Sequence, residues 1–232
     1  PGDGIGTEVI SEGIKCLKAL SEIFKNLQFQ FEYFPWGSEY YLQHGRMMPD
    51  DSLEILKNFD AIYLGAVGDP RIPDDVTLHG LLLPIKFGFD LYVGLRPVYL
   101  FPGIESPLAN ISEGEIDIVV IRENTEGEYS NVGGIVGIKD RELAIQSGLF
   151  TRKGVERIIT FAFEYAKEKG RKKVTSVTKS NAQRYGMVLW DRIFREVASR
   201  FPEINTESKL IDAAFMDVVR NPKGYDVIVA SN

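Results

Sequence analysis

Two side chains in this sequence stand where they can move protons: Tyr129, closing the run Arg122-Glu-Asn-Thr-Glu-Gly-Glu-Tyr129, and Lys179, in Thr178-Lys-Ser-Asn181. A phenol and an amine both serve as general acid or base when a site brings them within hydrogen-bond reach of a substrate. Taken singly, a tyrosine is more often a packed aromatic with a satisfied hydroxyl, and a lysine is more often solvated. Three cations, Lys86, Arg96 and Arg122, can converge on carboxylates, arginine through a planar fork and lysine as a point charge. Arg122 directly follows the apolar run Ile116-Asp-Ile-Val-Val-Ile121, so it ends a strand, where side chains face a crevice. Asp212, after Leu210 and Ile211, offers carboxylate oxygens to a hard cation, although helix capping is the commoner task of such a residue.

The opening run Pro1-Gly-Asp-Gly-Ile-Gly6 sets three glycines before a helix N-terminus, where free amides and the helix dipole can approach an anion or a cofactor backbone. Its spacing is not the dinucleotide fingerprint of a Rossmann unit, and by itself it describes only a tight turn from strand to helix. His44 and His79 are isolated in the sequence and form no metal motif.

These residues need elements to hold them. Ile10, Ile14, Leu17, Leu20 and Phe24 recur at helical spacing behind Thr7, which reads as the N-cap. Phe29, Phe31 and Tyr33 alternate as a strand does, a short helix is expected over Asp51 to Lys57, and Asp60 to Gly65 reads as a buried strand. A leucine-rich stretch from Leu78 to Ile85 precedes the extended segment Leu91 to Leu100, which reads as a crossing between domains. Asn131 to Phe150 suggests β structure outside the main sheet, in the manner of a dimerisation arm. Val155, Ile158, Ile159, Ala162, Phe163 and Ala166 form a helical stripe between Thr151 and Gly170. Strand Lys173 to Thr178, a helix from about Gln183 to Ser199, strand Ser208 to Asp212, another helix and a strand from Tyr225 to Ala230 complete an α/β alternation.

The chain has 232 residues, 44% of them hydrophobic, enough for a sizeable core in one or two domains. A formal charge of -6 argues against a nucleic-acid footprint but leaves room for a local basic pocket that holds a small anion. Cys16 is the only cysteine, so no disulfide framework or thiolate metal site can form, and a reducing cytoplasm fits best. No apolar run approaches the ~20 residues of a membrane span. Pro1 opens into a turn that ordinarily follows a strand, and the chain halts at Ser231-Asn232 after a strand, so truncation at both ends is expected.

Six segments taken together resemble the β-decarboxylating dehydrogenases, the family of isopropylmalate, isocitrate, D-malate and tartrate dehydrogenases. They are Pro1-Gly-Asp-Gly-Ile-Gly6, Leu64-Gly-Ala-Val-Gly68, Leu95-Arg-Pro97, Arg122-Glu-Asn-Thr-Glu-Gly-Glu-Tyr129, Thr178-Lys-Ser-Asn181 and Val229-Ala-Ser-Asn232, and they occur in the family's order along the whole chain. The resemblance implies the isopropylmalate dehydrogenase-like two-domain α/β fold, incomplete here and distinct from a Rossmann fold. Residues 1–94 would be the first part of a cofactor-binding domain and 95–232 a substrate and dimerisation domain. It further implies an NAD-dependent enzyme that oxidises and decarboxylates a small 2-hydroxydicarboxylate with Mg2+ or Mn2+, as a homodimer with shared active sites and with neither nucleic acid nor membrane as partner.

Residue by residue, the resemblance makes Lys179 the group that helps remove the hydroxyl proton, acting across the dimer, and Tyr129 the acid that protonates the enolate. Lys86, Arg96 and Arg122 would hold carboxylates, and Asp212 would be the metal-binding aspartate that the neighbouring subunit supplies. Gly4, Ile5, Gly68, Thr77 and Asn181 would border the cofactor, with Asn181 near the nicotinamide. Two further metal-binding aspartates and the residues that separate NAD from NADP would lie beyond Asn232, so the 232 residues alone are expected to be inactive.

Two departures direct the substrate. Lys86 stands where isopropylmalate and isocitrate enzymes carry an arginine, and His79, in the loop Ile72 to Leu81, stands where an isopropylmalate enzyme has an acidic residue. Phe89-Asp-Leu-Tyr-Val93 and Arg122 to Gly127 likewise resemble the tartrate and D-malate branch. D-malate or tartrate is therefore the expected substrate, with 3-isopropylmalate the alternative, since Leu82 and Leu83 can line an apolar pocket. A non-catalytic regulatory subunit is the alternative of another class, against which the presence of both Tyr129 and Lys179 speaks.

Overall fold

The computed structural model describes residues 1–232, which divide into two compact units, Pro1–Asp90 and Leu91–Asn232. Residues 91–94, expected in the first domain, lie in the second unit because Val93 and Gly94 already pair with Glu123 and Arg122.

The first unit holds helices α1 (Gly6–Ile23), α2 (Ser38–His44), α3 (Ser52–Leu56), α4 (Asp74–Thr77) and α5 (Leu83–Gly88), with a π-helical turn over Leu78–Leu82. Helix α1 starts two residues earlier than its sequence pattern suggests. Ile5 occupies the cap position and makes no side-chain cap bond, so Thr7 lies inside the first turn and is not the N-cap. Neither Phe29–Tyr33 nor Asp60–Gly65 becomes a strand. A ladder needs a partner backbone about 4.8 Å away, and neither run makes a backbone hydrogen bond to a neighbour. Gly2 and Ala66 form the one bridge. Both runs instead line a cavity of about 150 Å³ beside Pro1 and Gly2. The core of this unit is small, with Met47, Leu56, Leu81 and Ile85 packed under Phe34, Trp36 and Tyr41.

The second unit is built on a five-stranded sheet of order β1-β2-β7-β5-β6, from β1 (Val93–Tyr99), β2 (Asp117–Glu123), β5 (Lys173–Thr178), β6 (Asn205–Leu210) and β7 (Val227–Ala230). Strands β2, β7, β5 and β6 are parallel and β1 is an antiparallel edge, so the segment expected to cross between domains belongs to this sheet. Strands β3 (Gly127–Val136) and β4 (Leu143–Leu149) form a separate antiparallel pair.

Period-2 alternation sends Val119, Ile121, Val174, Val227 and Val229 to one face, under α6 (Arg152–Glu168) and α7 (Gly186–Ala198). Ile118, Val177 and Ile228 pack on the other face with Ala214 of α8 (Ile211–Arg220). The first face is the stronger, because Trp190, Phe163, Ile158, Ile159 and Ile193 are wholly buried there, each worth roughly 1.5–3 kcal/mol of transfer free energy. Trp190 also donates its indole N–H to Ser176 Oγ at 2.9 Å, so its one polar atom is satisfied. Helix α6 opens on a true cap: the Thr151 hydroxyl accepts from the Gly154 amide at 2.9 Å.

Candidate active site

Parallel strands deliver their carboxyl ends to one edge of the sheet, and a crevice outside that edge is where open α/β sheets bind ligands. Arg122 is the last residue but one of β2, Asn232 follows β7, Lys179 follows β5 and Asp212 follows β6. Arg122 lies opposite Gly94 of β1, so Arg96, two residues along β1, shares its face as a diagonal neighbour. That is the face of Ile118 and Val120, covered by α8, and Lys179 continues the parity of Val177 toward the same side. Arg96, Arg122, Lys179 and Asp212 therefore occupy one side of one edge.

Register explains the closest pair. Thr178 lies beside Leu210 in the β5–β6 ladder, so the two chains leave the sheet side by side and Lys179 Nζ donates to Asp212 Oδ2. The strand expected over Ser208 to Asp212 runs instead over Asn205–Leu210, and Asp212 sits in the first turn of α8, with Leu210 as cap residue. Both side chains reach solvent, and the hydrogen bond and charge of Lys179 hold the Asp212 carboxyl below its ordinary value of 3.8. Helix α8 is itself anchored. Tyr225 donates its hydroxyl to Asp217 Oδ2 at 3.0 Å, and Lys209 pairs with the same carboxylate.

Tyr129 and Arg122 form the second cluster. The Arg122 guanidinium carbon lies 5.3 Å from the Tyr129 ring centroid, within reach of a cation–π contact. Both side chains are half-buried, so both keep surface open to a ligand. The run between them is a compact loop. Glu123, buried at the end of β2, accepts from the amides of Thr125 at 3.0 Å and Glu126 at 2.7 Å and from the Thr125 hydroxyl at 2.8 Å. Asn124 donates to Leu91 O at 2.8 Å. Asn181, expected near the nicotinamide, is exposed beyond β5.

In the first unit, Asp3 organises the glycine turn. Its buried carboxylate accepts from Ser38 N at 2.8 Å, Ser38 Oγ at 2.7 Å and Gly68 N at 2.8 Å. The turn that carries Gly4 and Ile5 is thereby fastened to the Gly68 loop and to the start of α2. Gly2 must be glycine: its φ is +72°, and a Cβ there would overlap the Ala66 carbonyl. Gly4 and Gly68 also have positive φ, yet a Cβ at either would meet no protein atom within 4 Å, so both backbones face open space. Ile5 is 62% exposed beside them. This open backbone fits the approach of a dinucleotide. Thr77 is buried and its hydroxyl donates to Asp74 O at 3.0 Å, while Lys86 is half-buried in α5 and His79 is exposed in the π-helical turn.

For a divalent cation the fit is limited to one ligand. Asp212 has the right donor chemistry, but no group of three or more His, Cys, Asp or Glu side chains converges in the chain, and a hard cation of this kind takes about six oxygens. His44 ring-stacks on Tyr40 and hydrogen-bonds Tyr40 O, a structural role. Asp3, Glu123 and Glu126 were not assigned by sequence pattern. A carboxylate two or three residues before an amide it can cap is the local signal, visible for Glu123 but not for Asp3, whose partners are 35 and 65 residues away.

The family model for isocitrate/isopropylmalate dehydrogenase matches residues 1–232. The chain is 49% identical over 234 residues to a probable tartrate dehydrogenase/decarboxylase of Agrobacterium vitis and 49% identical over 235 residues to a D-malate dehydrogenase (decarboxylating) of Escherichia coli. In both comparisons all of this chain aligns, and it spans 65% of the length of the curated relative. Among solved structures, isocitrate dehydrogenase from Methylococcus capsulatus superposes with a TM-score of 0.88 at 29% identity, covering 100% of this chain and 65% of that one. No helix is long and apolar enough to cross a membrane. The mixed sheet, the order of its motifs and these matches agree, and the chain belongs to the isocitrate/isopropylmalate dehydrogenase family.

Proposed function

We propose that this chain supplies most of an NAD-dependent, metal-dependent dehydrogenase that oxidises and decarboxylates a 2-hydroxydicarboxylate such as D-malate or tartrate in the cytoplasm. The observation that carries the reading is the pairing of Arg122 with Tyr129 on the carboxyl edge that also bears Arg96, Lys179 and Asp212. Arg96 and Arg122 bind substrate carboxylates through forked contacts, and Lys86 adds a point charge. Lys179, reaching across the dimer, moves the hydroxyl proton at Nζ, and Tyr129 returns a proton from its hydroxyl after carbon dioxide leaves. The first unit, Pro1–Asp90, is on this reading part of the cofactor-binding domain, with Gly4, Ile5, Gly68 and Thr77 along the cofactor and Asn181 of the second unit near its nicotinamide. Bound NAD would supply the hydride acceptor. A bound Mg2+ or Mn2+ would supply positive charge to developing oxyanions, with Asp212 as one ligand.

A homodimer with shared sites is part of the same reading. It is supported by the exposed apolar residues of α8, with Phe215 at 73% and Met216 at 63%, and of the β3–β4 arm, with Ile135 at 68%. With one carboxylate ligand present, the 232 residues alone are expected to be inactive.

The test is kcat/KM of the complete enzyme for D-malate, tartrate and 3-isopropylmalate with magnesium. Preference for 3-isopropylmalate would overturn the substrate assignment, and absence of turnover with all three would overturn the activity. Lys86→Arg should alter the ranking of the three more than the maximum rate, and equal changes for all would remove Lys86 from the specificity set.

A further inference from the structure

Glu126 lies between Arg122 and Tyr129, yet its carboxylate points away from both and into the start of α6. One oxygen accepts from the Thr151 amide at 2.9 Å and the other from the Thr151 hydroxyl at 2.5 Å. That hydroxyl is the cap of α6, accepting in turn from Gly154 N at 2.9 Å. Gly154 has no side chain for a spatial reason, since a Cβ there would collide with the Glu126 carboxylate. The backbone of Glu126 is held as well: its amide donates to Glu123 at 2.7 Å, and its carbonyl accepts from Asn232 Nδ2 at 2.9 Å. Gly127 follows with a φ of +72°, turning the chain into β3 and toward Tyr129.

We propose that Glu126 is a positioning residue that fixes the Tyr129 hydroxyl for proton transfer by clamping the Arg122–Tyr129 loop to the N-terminus of α6. This rests on the reading of Tyr129 as the proton donor. The carboxylate is not itself the acid, because both of its oxygens are engaged by Thr151. It acts through the loop. Arg122 sits in a sheet that pins it from both sides, through Gly94 and Ala230. Tyr129 lies in β3, outside that sheet, and beyond the loop its strand pairs only with β4. The clamp therefore controls Tyr129 far more than Arg122. A displacement of about 1 Å at a reacting group can cost on the order of a hundredfold in rate.

The experiment uses the complete enzyme and two readouts: decarboxylation of a supplied β-keto acid, oxaloacetate, and NADH affinity by fluorescence titration. All variants are assayed at a temperature where circular dichroism shows them folded. Glu126→Ala should lower kcat for the supplied keto acid by roughly tenfold to a hundredfold, with its KM and the NADH affinity little changed. Glu126→Gln, which keeps an acceptor for the Thr151 amide, should recover most of the rate. Gly154→Ala should reproduce the loss by driving the carboxylate aside, and should cost nothing more when added to Glu126→Ala. Tyr129→Phe serves as reference. A loss in Tyr129→Phe with none in Glu126→Ala overturns the positioning role alone. No loss in either overturns the assignment of Tyr129 and the proposal with it. Equal losses in kcat and in NADH affinity across the Glu126 variants would mark a general structural role and also overturn it.

Discussion

The carboxyl edge of the second unit and the glycine turn of the first solve the same problem, that of holding a polar loop still, by different means. At the carboxyl edge the strands do the holding: three parallel ladders and a large core under α6 and α7 fix where Arg122, Lys179 and Asp212 emerge. In the glycine turn a single buried carboxylate, Asp3, does it, with one bridge behind it at Gly2 and Ala66. Geometry that many weak bonds share tolerates the loss of any one of them. Geometry that rests on one group does not.

The largest effect should come from the core beneath the edge. Trp190→Ala removes a wholly buried indole and leaves Ser176 Oγ without its donor, and should cost about 3–5 kcal/mol in denaturant unfolding. Tyr33→Ala, at a residue 57% exposed in the first unit, should stay within about 0.5 kcal/mol. Similar costs for the two would erase the contrast between the units. Hydrogen exchange should agree, with amides of Lys173–Thr178 slow and those of residues 29–33 and 60–65 poorly protected.

Asp3→Ala comes next. It leaves the Ser38 amide without its acceptor in a buried position and releases the Gly68 amide at the surface, and a buried donor left unpaired costs about 1–3 kcal/mol. Exchange should accelerate at Ser38 and Gly68 together while β5 is unchanged. If only one of the two responds, Asp3 is not the common tie.

Thr151→Val deletes the cap of α6 in the better-supported unit and should cost about 1 kcal/mol. Calorimetric or denaturant unfolding reads it directly, and a loss as large as that of Trp190→Ala would mean that the α6 terminus, not the core, carries the sheet edge.

The smallest effect concerns pH. Lys179 lowers the Asp212 carboxyl pKa in the folded chain, so the pair's stabilisation is present above the ordinary aspartate value and is lost as pH falls through the depressed one. Because both groups meet solvent, the change in stability should be slight and reduced by salt. Carbon NMR of Asp212 should give a midpoint below 3.8 that rises in Lys179→Met. An unchanged midpoint would dissolve the pair.

How much of this was legible in the sequence follows the same division. Lys173–Thr178 reads as a strand because it is a short run bounded by turns, and the apolar stripe of α6 between Thr151 and Gly170 has one periodic solution. Phe29–Tyr33 alternates and Asp60–Gly65 is a short apolar run, but strandhood depends on a neighbour that local pattern cannot supply. The edge residues Arg122 and Lys179 were visible because each directly follows an apolar or strand-like run, although Arg122 is still within β2. Asp212 was placed on a strand because Leu210 and Ile211 continue its apolar run, although the helix begins at Ile211. Asp3 and Glu126 were illegible as clamps, since their donors come from distant segments.

The register that joins Lys179 to Asp212 has a kinetic consequence. The two residues are 33 positions apart, and they become neighbours only when α7 has crossed over and β6 has aligned in parallel beside β5. Contacts of such separation form late, because the loop must close before any pairing rewards it. During folding, Lys179 and Asp212 thus remain strangers until the β5–β6 ladder zips, and their ion pair is a timestamp of that event. A probe on either residue would report completion of this strand pairing and stay silent through the earlier collapse of α6 and α7.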